Sequence, residues 1–465
     1  MVPKIIREVV LNDLCIGCGV CITVCPTNSI SMAWNKDGLL IPIQNGKCED
    51  EKKCIDVCPF NPTPKNILRT ENEISSIFNE NFTNEDSILG KYISIYSGYS
   101  SYFRSLSSSG GIATWVLKEI LLKKIADSVI VVGEDTSENS NLFHYSKIDF
   151  PDELSQYSQT KYYPITLSEV LLEIEKSEKK VAIIGIPCFL KALRLKQYFY
   201  PSFGEKVVFT IGIFCGGMKS SFFTEYLSSR CGVYKNEIVK PQYRIKDLSS
   251  TASDYSFGVY NRYSKDFHSM KMKTVGDMWG TGMFKPNACE FCDDLSAELA
   301  DISLGDAWIS PYAENGAGTN VIIVRTKAAE DLLLGGVENK EIILENLSKE
   351  QAVLSQRGNY NHRRIGLAHR IHLAERKSKI IPPKRVSGNR NIDLAFRLVL
   401  NQRSRVREKS FIYWRESNRF EEFEKNMKFS LKWLKIFTFF YHLTRGQSLR
   451  IRLIRLFNSL ALRNK

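Results

Sequence analysis

The sequence predicts an α/β main domain, preceded by a small cysteine-rich α+β domain and followed by a helical, basic C-terminal tail. Three observations support this prediction. Seven of the twelve cysteines lie within residues 15 to 58. In the middle of the chain, continuous apolar runs typical of strands buried on both sheet faces alternate with helical patterns. From residue 351 onward Lys and Arg exceed Asp and Glu by 20, although the whole chain carries only +13.

Length and composition indicate a globular protein with more than one structural unit. A chain of 465 residues is too long for one ordinary core. The N-terminal residues show no secretory signal, and no window of about 18 apolar residues lacks charges. We therefore expect a cytoplasmic protein, in which the cysteines bind metal rather than form disulfides.

The chain is divided into four parts on these grounds. Residues 1–62 form the cysteine-rich domain and residues 63–95 form a polar linker. Residues 96–340 form the main domain, and residues 341–465 form the basic helical tail. The net charge is negative before residue 351 and positive after it, which suggests that the body and the tail bind different partners.

The first cysteine group matches an iron–sulfur motif without exception. Cys15, Cys18, Cys21 and Cys25, followed by Pro26, fit the pattern C-x2-C-x2-C-x3-C-P. In two-cluster ferredoxins the first three cysteines bind one cluster and the fourth binds the other. Structural zinc is the alternative, but zinc sites use C-x2-C pairs separated by longer loops. The motif favours a ferredoxin-like α+β iron–sulfur domain.

The second cysteine group departs from the motif at Glu51, which stands where a cysteine is expected between Cys48 and Cys54. The ligand rule for this fold gives two sets: Cys15, Cys18, Cys21 and Cys58 for a 4Fe-4S cluster, and Cys25, Cys48, Cys54 and Glu51 for a second cluster. A carboxylate is a harder ligand than a thiolate, yet it can bind iron. The second site is therefore expected to hold a 3Fe-4S or an atypical 4Fe-4S cluster, unless its cysteines are relics.

Four further cysteines suit another 4Fe-4S cluster in the main domain. Cys188 and Cys215 directly follow predicted strands, and the segment KPNACEFCDD supplies Cys289 and Cys292. Ligands of open α/β sheets bind at the carboxyl ends of strands. Each cysteine alone is equally explained as an ordinary core residue, but the four together favour a cluster. Cys231 lacks such a setting and is predicted to be structural.

The segment RSLSSSGG (104–111) precedes a helix that is predicted to begin near Ile112. Small residues at a helix N-terminus expose backbone N–H groups toward an anion, and serine hydroxyls add donors, which suits the phosphate of a nucleotide cofactor. An ordinary helix N-cap uses the same residues. This segment alone leaves both interpretations open.

An ordered set of motifs resembles a known family. The motifs are SSSGG (107–111), SQTKYYP (158–164), IGIPCFLKALR (184–194), IGIFCGG (211–217), ACEFCDD (288–294), ADISLGDAW (300–308) and GTNVIIVRT (318–326). In this order, behind a two-cluster ferredoxin module, they resemble the coenzyme F420 hydrogenase/dehydrogenase beta-subunit family. The resemblance covers roughly residues 10 to 335 and does not include the tail.

The resemblance implies a flavin-dependent iron–sulfur oxidoreductase that passes electrons between its clusters and FAD and reduces or oxidises a small-molecule substrate. It places four cysteines at the main-domain cluster: Cys188, Cys215, Cys289 and Cys292. It places eight residues at FAD: Ser107, Ser109, Gly110, Gly111 and Lys161 at the phosphates or ring, and Asp301, Asp306 and Arg325 in the flavin pocket. A strand and turn with capping carboxylates explains ADISLGDAW equally well.

Reduced ferredoxin or another redox protein is the expected electron donor. Two other functions remain open: an electron-transfer protein that relays electrons to a separate catalytic partner, and a degenerate scaffold. Eleven of the twelve cysteines lie in ligand-like settings, which disfavours the scaffold. The catalytic residues, the substrate and the direction of electron flow are not identified.

The end of the tail has the pattern of an amphipathic helix. Two interleaved sets recur at helical spacing: Phe429, Trp433, Phe437 and Phe440, and Lys425, Lys428, Lys432 and Lys435. Docking on the main domain and peripheral contact with an anionic membrane on its inner face both explain the pattern. Nucleic acid is not expected, because no binding module is recognisable. Family members with such tails can occur in bacterial surface-polysaccharide pathways, and this association suggests a role there.

Overall fold

The computed structural model describes residues 1–50, 52–79, 81–135 and 141–444. Its strands are β1 (Ile30–Trp34), β2 (Leu40–Gln44), β3 (Asn84–Asp86), β4 (Gly90–Tyr92), β5 (Ser94–Ser100), β6 (Ser128–Glu134), β7 (Phe143–Ile148), β8 (Val181–Gly185), β9 (Val207–Ile213), β10 (Ile238–Ile245), β11 (Ser256–Asn261), β12 (Phe267–Lys271), β13 (Ile302–Asp306), β14 (Asn320–Val324) and β15 (Ile342–Asn346). Its α-helices are α1 (Lys53–Asp56), α2 (Glu71–Phe78), α3 (Ile112–Leu122), α4 (Ser168–Lys176), α5 (Pro187–Phe199), α6 (Pro201–Gly204), α7 (Ser221–Arg230), α8 (Met278–Thr281), α9 (Lys327–Glu338), α10 (Lys349–Ser355), α11 (Arg357–Arg363), α12 (Ile365–Glu375), α13 (Leu394–Ser417) and α14 (Phe420–Thr444).

Eight strands form one mixed sheet in the order β15-β5-β14-β13-β9-β8-β6-β7. The four central strands β13, β9, β8 and β6 are parallel, and antiparallel pairs flank them on both sides. The segments that link β6, β8 and β9 contain α4 and α5, as parallel neighbours require a crossover. The predicted α/β main domain is confirmed. Its parallel strands bring their carboxyl ends to one edge of the sheet.

Apolar layers cover both faces of this sheet. Val129 and Val131 of β6 pack in a layer with Trp115 of α3, whereas Ile130 packs in a layer with Leu193 of α5. Neighbouring residues of one strand point to opposite faces. A strand covered on both faces must therefore be apolar throughout, which explains the continuous apolar runs in the sequence.

The cysteine-rich domain packs against the α4 and α5 face of the main sheet. Its β1–β2 pair is antiparallel, with Ile30 opposite Gln44. Leu167, just before α4, donates its N–H to the carbonyl of Cys18 (2.9 Å). Lys196 of α5 donates to the Thr23 hydroxyl (2.5 Å). This domain is thus joined to the body by both backbone and side-chain hydrogen bonds.

Two boundaries of the main domain differ from the sequence prediction. The predicted linker contains α2, which begins with a capping box between Thr70 and Glu73. Glu71 of α2 pairs with Lys191 of α5 (3.0 Å), so this segment is anchored to the body. At the other end, β15 follows the predicted boundary at residue 340 and pairs with β5 in the main sheet. A polar composition is compatible with a linker and with a helix that docks on the main domain, so it did not distinguish the two.

The predicted tail is helical in its described part, and much of it packs on the main domain. Trp414 of α13 and Phe423 of α14 lie in one apolar cluster with Tyr226 of α7 and Phe284. Several of its basic side chains are buried rather than free: Arg363, Lys384 and Arg385. Among the described helices, none combines the length and apolar character needed to span a bilayer.

Candidate functional site

A cavity of about 420 Å³ lies beside the carboxyl ends of β8, β9 and β13. The RSLSSSGG loop and the SQTKYYP loop form part of its wall, with Ser107 and Lys161 among the lining residues. Cys215 lines it where β9 ends, and Asp306 lines it at the last residue of β13. The edge predicted from the strand pattern therefore carries a cavity of the size used for small ligands.

The serine loop is held in place by three neighbouring segments. Ser108 accepts the N–H of Thr160 (2.9 Å), and Ser109 donates its hydroxyl to the Thr319 carbonyl (3.3 Å). Lys246 donates to three backbone carbonyls: Arg104 (2.5 Å), Ser109 (2.7 Å) and Ala317 (2.6 Å). The Ser107 Oγ is buried without a hydrogen-bond partner, although it belongs to the cavity wall. A ligand group that donates or accepts a hydrogen bond beside Ser107 would give this hydroxyl a partner.

The two glycines of the loop have structural reasons to be glycine. Gly111 has φ +80°, and a Cβ there would lie 2.6 Å from the Phe103 carbonyl carbon. A Cβ on Gly110 would lie 2.7 Å from the Gly98 oxygen. The first N–H of α3, at Ile112, donates to the Asn320 side chain (3.3 Å). Ordinary packing and capping thus explain the glycines, and Ser107 is the residue whose polar group lacks such an explanation.

Cationic side chains surround the cavity. Burial lowers the pKa of Lys161, whose ammonium lies 5.2 Å from the Phe143 ring centroid. Arg244 of β10 donates to Asp306 (2.8 Å), and its Nε is buried without a partner. Burial opposes the charge of Arg244, but the Asp306 carboxylate holds its pKa above the ordinary value. This set suits an anionic ligand that adds an acceptor for Arg244.

Sequence reasoning missed Arg244, and it also missed Lys219 and the aromatic wall. Lys219 donates to the carbonyls of Met278 (2.9 Å) and Met283 (2.7 Å), and burial lowers its pKa to about 7. Its ammonium lies 4.7 Å from the Trp279 ring centroid, and that ring contacts Tyr162 edge-on. Arg244, Lys219 and Trp279 lie outside the motifs of the sequence analysis, whereas Tyr162 belongs to SQTKYYP (158–164). The one signal in the sequence was that Arg244 and Lys219 are cationic residues among apolar and aromatic neighbours.

Asp301 and Arg325 lie outside the cavity wall. Asp301 accepts from Arg194 (3.1 Å) and from the N–H and hydroxyl of Thr210. Arg325 is 1% exposed and donates to the carbonyls of Leu89 and Lys91. Both residues therefore tie strands and loops together. Asp301 accepts a backbone N–H, so it is a capping carboxylate, which was one of the two interpretations of ADISLGDAW. Asp306 instead lines the cavity.

The four cysteines of the main domain converge beside this cavity. Cys188 lies in the first turn of α5, Cys215 follows β9, and Cys289 and Cys292 lie on the loop after α8. Burial raises the pKa of Cys289 to about 12, and repulsion from Cys215 and Cys292 adds to it. Burial, followed by repulsion from the other three, raises the pKa of Cys188 well above its usual value. Buried thiolates that repel one another are stabilised by bound metal.

A multi-iron cluster fits these cysteines better than one metal ion. Within the described ranges, no group of three or more histidine, cysteine or acidic side chains is placed to hold a metal ion. In a cubane the four thiolates bind four different iron atoms, so they need not approach a common point as zinc ligands do. The donor set is one buried cysteine, Cys289, and three half-buried ones from three segments, and it matches the ligand composition that a 4Fe-4S cluster uses.

The cysteines of the N-terminal domain lie near one another, and the division into two ligand sets stays a prediction. After burial, repulsion from Cys18, Cys15 and Cys58 keeps the pKa of Cys21 well above its usual value. Burial raises the pKa of Cys15 to about 12 and that of Cys18 to about 11. Burial raises the pKa of Cys54 to about 11, and Cys54 interacts with Cys48 and Cys25 and also with Cys21 and Cys58. Glu51, the predicted fourth ligand of the second set, lies outside the described residues.

Cys25 and Cys231 have different surroundings. Burial opposes the Cys25 thiolate, but hydrogen bonds from Ser29 and Thr27 hold the pKa of Cys25 below its usual value. Burial raises the pKa of Cys231 to about 11. Cys231 packs beside the apolar cluster of α7, as expected of a structural cysteine.

The two groups of cysteines lie close to each other. Repulsion from Cys18 of the first N-terminal set contributes to the raised pKa of Cys188. Cys188 and Cys18 both act on Tyr145, where burial is the largest cause of a raised pKa. Tyr145 also lines the cavity. Cys18 and Cys188 therefore both lie near the part of the cavity wall that Tyr145 forms.

An α/β domain with converging cysteines, joined to a ferredoxin-type module, defines an iron–sulfur electron-transfer protein. Residues 14–61 match the 4Fe-4S dicluster domain. Two further models describe the N-terminal and C-terminal parts of the coenzyme F420 hydrogenase/dehydrogenase beta subunit; the first matches residues 95–172 and the second matches residues 178–350. The chain belongs to the coenzyme F420 hydrogenase/dehydrogenase beta-subunit family, which confirms the resemblance seen in the motifs.

Several similar proteins are named for coenzyme F420. The chain is 24% identical over 370 residues to the coenzyme F420-dependent sulfite reductase of Methanocaldococcus jannaschii, and this match covers 74% of this chain but only 49% of the reductase. It is 23% identical over 344 residues to one of the subunits of the F(420)H(2) dehydrogenase of Methanosarcina mazei, and this match covers 71% of this chain and 84% of the relative. A chain of the F420-reducing [NiFe] hydrogenase complex from Methanosarcina barkeri aligns with a TM-score of 0.48 and 19% identity, covering 65% of this chain and 99% of that one.

Proposed function

We propose that this protein is a flavin-dependent iron–sulfur oxidoreductase, in which electrons pass between the N-terminal clusters, a main-domain cluster and FAD bound in the cavity. One observation supports this most directly. The same cavity is lined by the unpartnered Ser107 hydroxyl and by Cys215 of the proposed cluster site. A cofactor held there would lie next to a cluster ligand. FAD supplies the exchange of single electrons for a hydride.

The residues around the cavity have distinct proposed tasks. Ser107 and Lys161 bind phosphate, because they offer a free hydroxyl and a cation on two facing loops. Arg244, held by Asp306, directs its unpartnered Nε to an anionic or carbonyl oxygen of the cofactor or substrate. Tyr162 and Trp279 keep water from the wall that they form. Ser109, Gly110 and Gly111 support the loop.

The substrate class is proposed from the similar proteins. Several of them are named for coenzyme F420. A deazaflavin that exchanges a hydride with FAD is therefore the first substrate to test. A role in surface polysaccharide biosynthesis stays a prediction, because none of these similar proteins bears on it.

A relay function is the second candidate. Some similar proteins are named as subunits, such as the F420 hydrogenase beta subunit of Methanococcus voltae. In that case a separate partner would complete the reaction. A relay protein alone would exchange electrons with a one-electron dye but would not oxidise or reduce coenzyme F420. Turnover of F420 by the isolated chain would support the enzyme instead.

Anaerobic purification with quantitation of iron, sulfide and flavin tests the proposal. We expect bound FAD and iron–sulfur clusters in the unmodified protein. Cys289→Ser is expected to lose one cluster and to keep FAD, whereas Cys231→Ser, a matched control outside both sets, keeps every cofactor. Absence of flavin absorbance in the reconstituted protein would rule out the FAD mechanism. Equal iron content in Cys289→Ser would rule out the main-domain cluster.

We further propose that α14 contacts an anionic membrane surface. One side of this helix docks through Phe423, Met427 and Leu434, so docking accounts for that side. The other side exposes Phe429 (68%) and Phe440 (55%), with Trp433 between them. Exposed lysines border this row: Lys425, Lys428, Lys432 and Lys435. Aromatic side chains beside cations suit an anionic lipid interface.

Liposome flotation tests this membrane contact. We expect the unmodified protein to float with anionic vesicles, and the triple variant Phe429→Gln, Trp433→Gln, Phe440→Gln to stay in the dense fraction. Tyr263→Gln is the control, because Tyr263 is 71% exposed on another surface. Equal flotation of the triple variant and the control would refute the contact.

A further inference from the structure

Arg363 is a buried arginine that reaches the proposed main-domain cluster from a segment after the family-matched region. It is the last residue of α11, whereas the family match ends at residue 350. Arg363 is 2% exposed. It donates to the carbonyl of Cys215, and its Nε donates to the carbonyl of Asp294 (3.3 Å). One side chain thus holds two of the cysteine-bearing segments.

The guanidinium also faces the cysteine sulfurs. It interacts electrostatically with Cys292, Cys215 and Cys289, and it donates to the backbone of Cys215 and of Asp294, two residues after Cys292. A buried positive charge beside a thiolate interacts strongly with it, because little water screens the pair. Arg363 is therefore placed to act on the charge of the cluster ligands.

Neighbouring cations differ from Arg363 in having carboxylate partners. Lys384 pairs with Asp293 (3.3 Å), and Arg370 pairs with Glu290 (3.1 Å). The ion pairs seen in the described part of the chain do not include Arg363. Its positive charge is directed to backbone carbonyls and cysteines. A paired cation contributes little net field, whereas Arg363 contributes a full charge at the site.

We propose that Arg363 is a positioning residue that raises the reduction potential of the cluster held by Cys188, Cys215, Cys289 and Cys292. This inference rests on the proposed function, since it requires that cluster. With the cluster bound, its reduction would be a one-electron transfer from an N-terminal cluster, with no bond formed or broken. The added negative charge is stabilised by the guanidinium, because hydrogen bonds and positive charge near the sulfurs favour the reduced state. Electrons would then collect beside the cavity.

The experiment is a redox titration of the full-length protein, monitored by EPR. The signal that disappears in Cys289→Ser is assigned to this cluster. We expect Arg363→Gln to shift its midpoint potential to a more negative value at unchanged iron content. Arg363→Lys keeps the charge but loses the forked hydrogen bonds, so we expect a smaller shift in the same direction. Arg364→Gln is the matched control, because Arg364 donates to the Ser87 carbonyl (2.8 Å) instead.

The outcomes separate this inference from the proposed function. If the unmodified protein has no signal that depends on Cys289, the proposed function fails. If the signal is present and its potential is equal in Arg363→Gln, Arg363→Lys and Arg364→Gln, the inference on Arg363 is overturned. If Arg363→Gln does not retain the cluster, Arg363→Lys decides: a potential equal to that of the control overturns the inference, and a more negative potential supports it.

Discussion

Ser107 and Ser109 lie two residues apart, yet the structure gives their hydroxyls different tasks. Ser109 donates to the Thr319 carbonyl and so helps to hold its loop against β14. The Ser107 hydroxyl is buried, lines the cavity and has no partner. An unsatisfied buried hydroxyl costs free energy unless a ligand pairs with it. At the residue scale, the unpaired group therefore indicates where a cofactor is expected to bind.

Ser107→Ala is expected to weaken FAD binding about tenfold, because one hydrogen bond to a charged group contributes roughly 1.5 kcal/mol. Its melting temperature should not fall, since no protein hydrogen bond is lost. Flavin fluorescence titration measures the affinity. Ser109→Ala is the control, and we expect it to lower the melting temperature with a smaller effect on affinity. Equal affinities for Ser107→Ala and the unmodified protein would contradict the proposed role.

Glu51 supplies a second prediction at this scale. Anaerobically purified protein should show a three-iron or atypical four-iron EPR signal, and Glu51→Cys should convert it to the signal of an ordinary four-iron cluster, since a thiolate then completes the motif. Iron analysis accompanies the spectra. Identical spectra and iron content in both proteins would count against Glu51 as a ligand of the second cluster.

Helices α13 and α14 carry two tryptophans in different environments, one buried against the main domain and one exposed. Trp414 is 1% exposed and donates to Glu225 of α7 (3.1 Å), so the pair of helices α13 and α14, called the hairpin below, is anchored to the main domain. Trp433, on the exposed row of α14, is 40% exposed. Both tryptophans belong to helical apolar patterns in the sequence. Only the packing distinguishes the anchoring side chain from the exposed one.

Trp414→Ala should lower the free energy of unfolding by about 3–5 kcal/mol, because it leaves a cavity in a packed aromatic cluster and an unpaired carboxylate. Trp433→Ala should change it by about 0.5 kcal/mol or less, as for other surface positions. Chemical denaturation followed by circular dichroism measures both. A loss of similar size in the two variants would show that the hairpin is not anchored through Trp414.

The whole molecule joins the ferredoxin-type domain and the main domain through buried polar contacts. The Lys196 side chain is 0% exposed, pairs with Glu175 (2.6 Å) and donates to Thr23 of the N-terminal domain. Cys18 and Cys188 are neighbours across the same interface. Fast electron transfer between clusters requires a fixed separation. Under the proposed function, this interface would also fix the distance between the clusters.

Lys196→Ala should destabilise this interface by about 2 kcal/mol, because buried hydrogen bonds to a charged group are lost. Limited proteolysis should then release the N-terminal domain earlier than in the unmodified protein. Lys179→Ala is the control, since its ion pair with Asp149 is 46% and 32% exposed and contributes about 1 kcal/mol or less. Equal cleavage rates for the two variants would contradict the anchoring role of Lys196.

The sequence alone determined the class of the fold and the presence of an iron–sulfur dicluster domain, and it predicted the individual ligands. The two-cluster motif, the apolar strands and the strand-end cysteines are local patterns, and local patterns are set by backbone geometry and ligand chemistry. The family match and the α/β fold confirmed the recognition. Docking of α2 was not predicted, and docking of the tail was only one of two open explanations, because polar and basic composition is compatible with either a free or a packed segment.

Only the tertiary structure decided which polar groups face the cavity. It placed Arg244, Lys219 and Trp279 beside the serine loop, and it directed Asp301 and Arg325 into the framework. These outcomes depend on contacts between residues far apart in the chain. Side-chain direction and the presence of a partner follow from the packing of whole elements, which no short pattern in the sequence records.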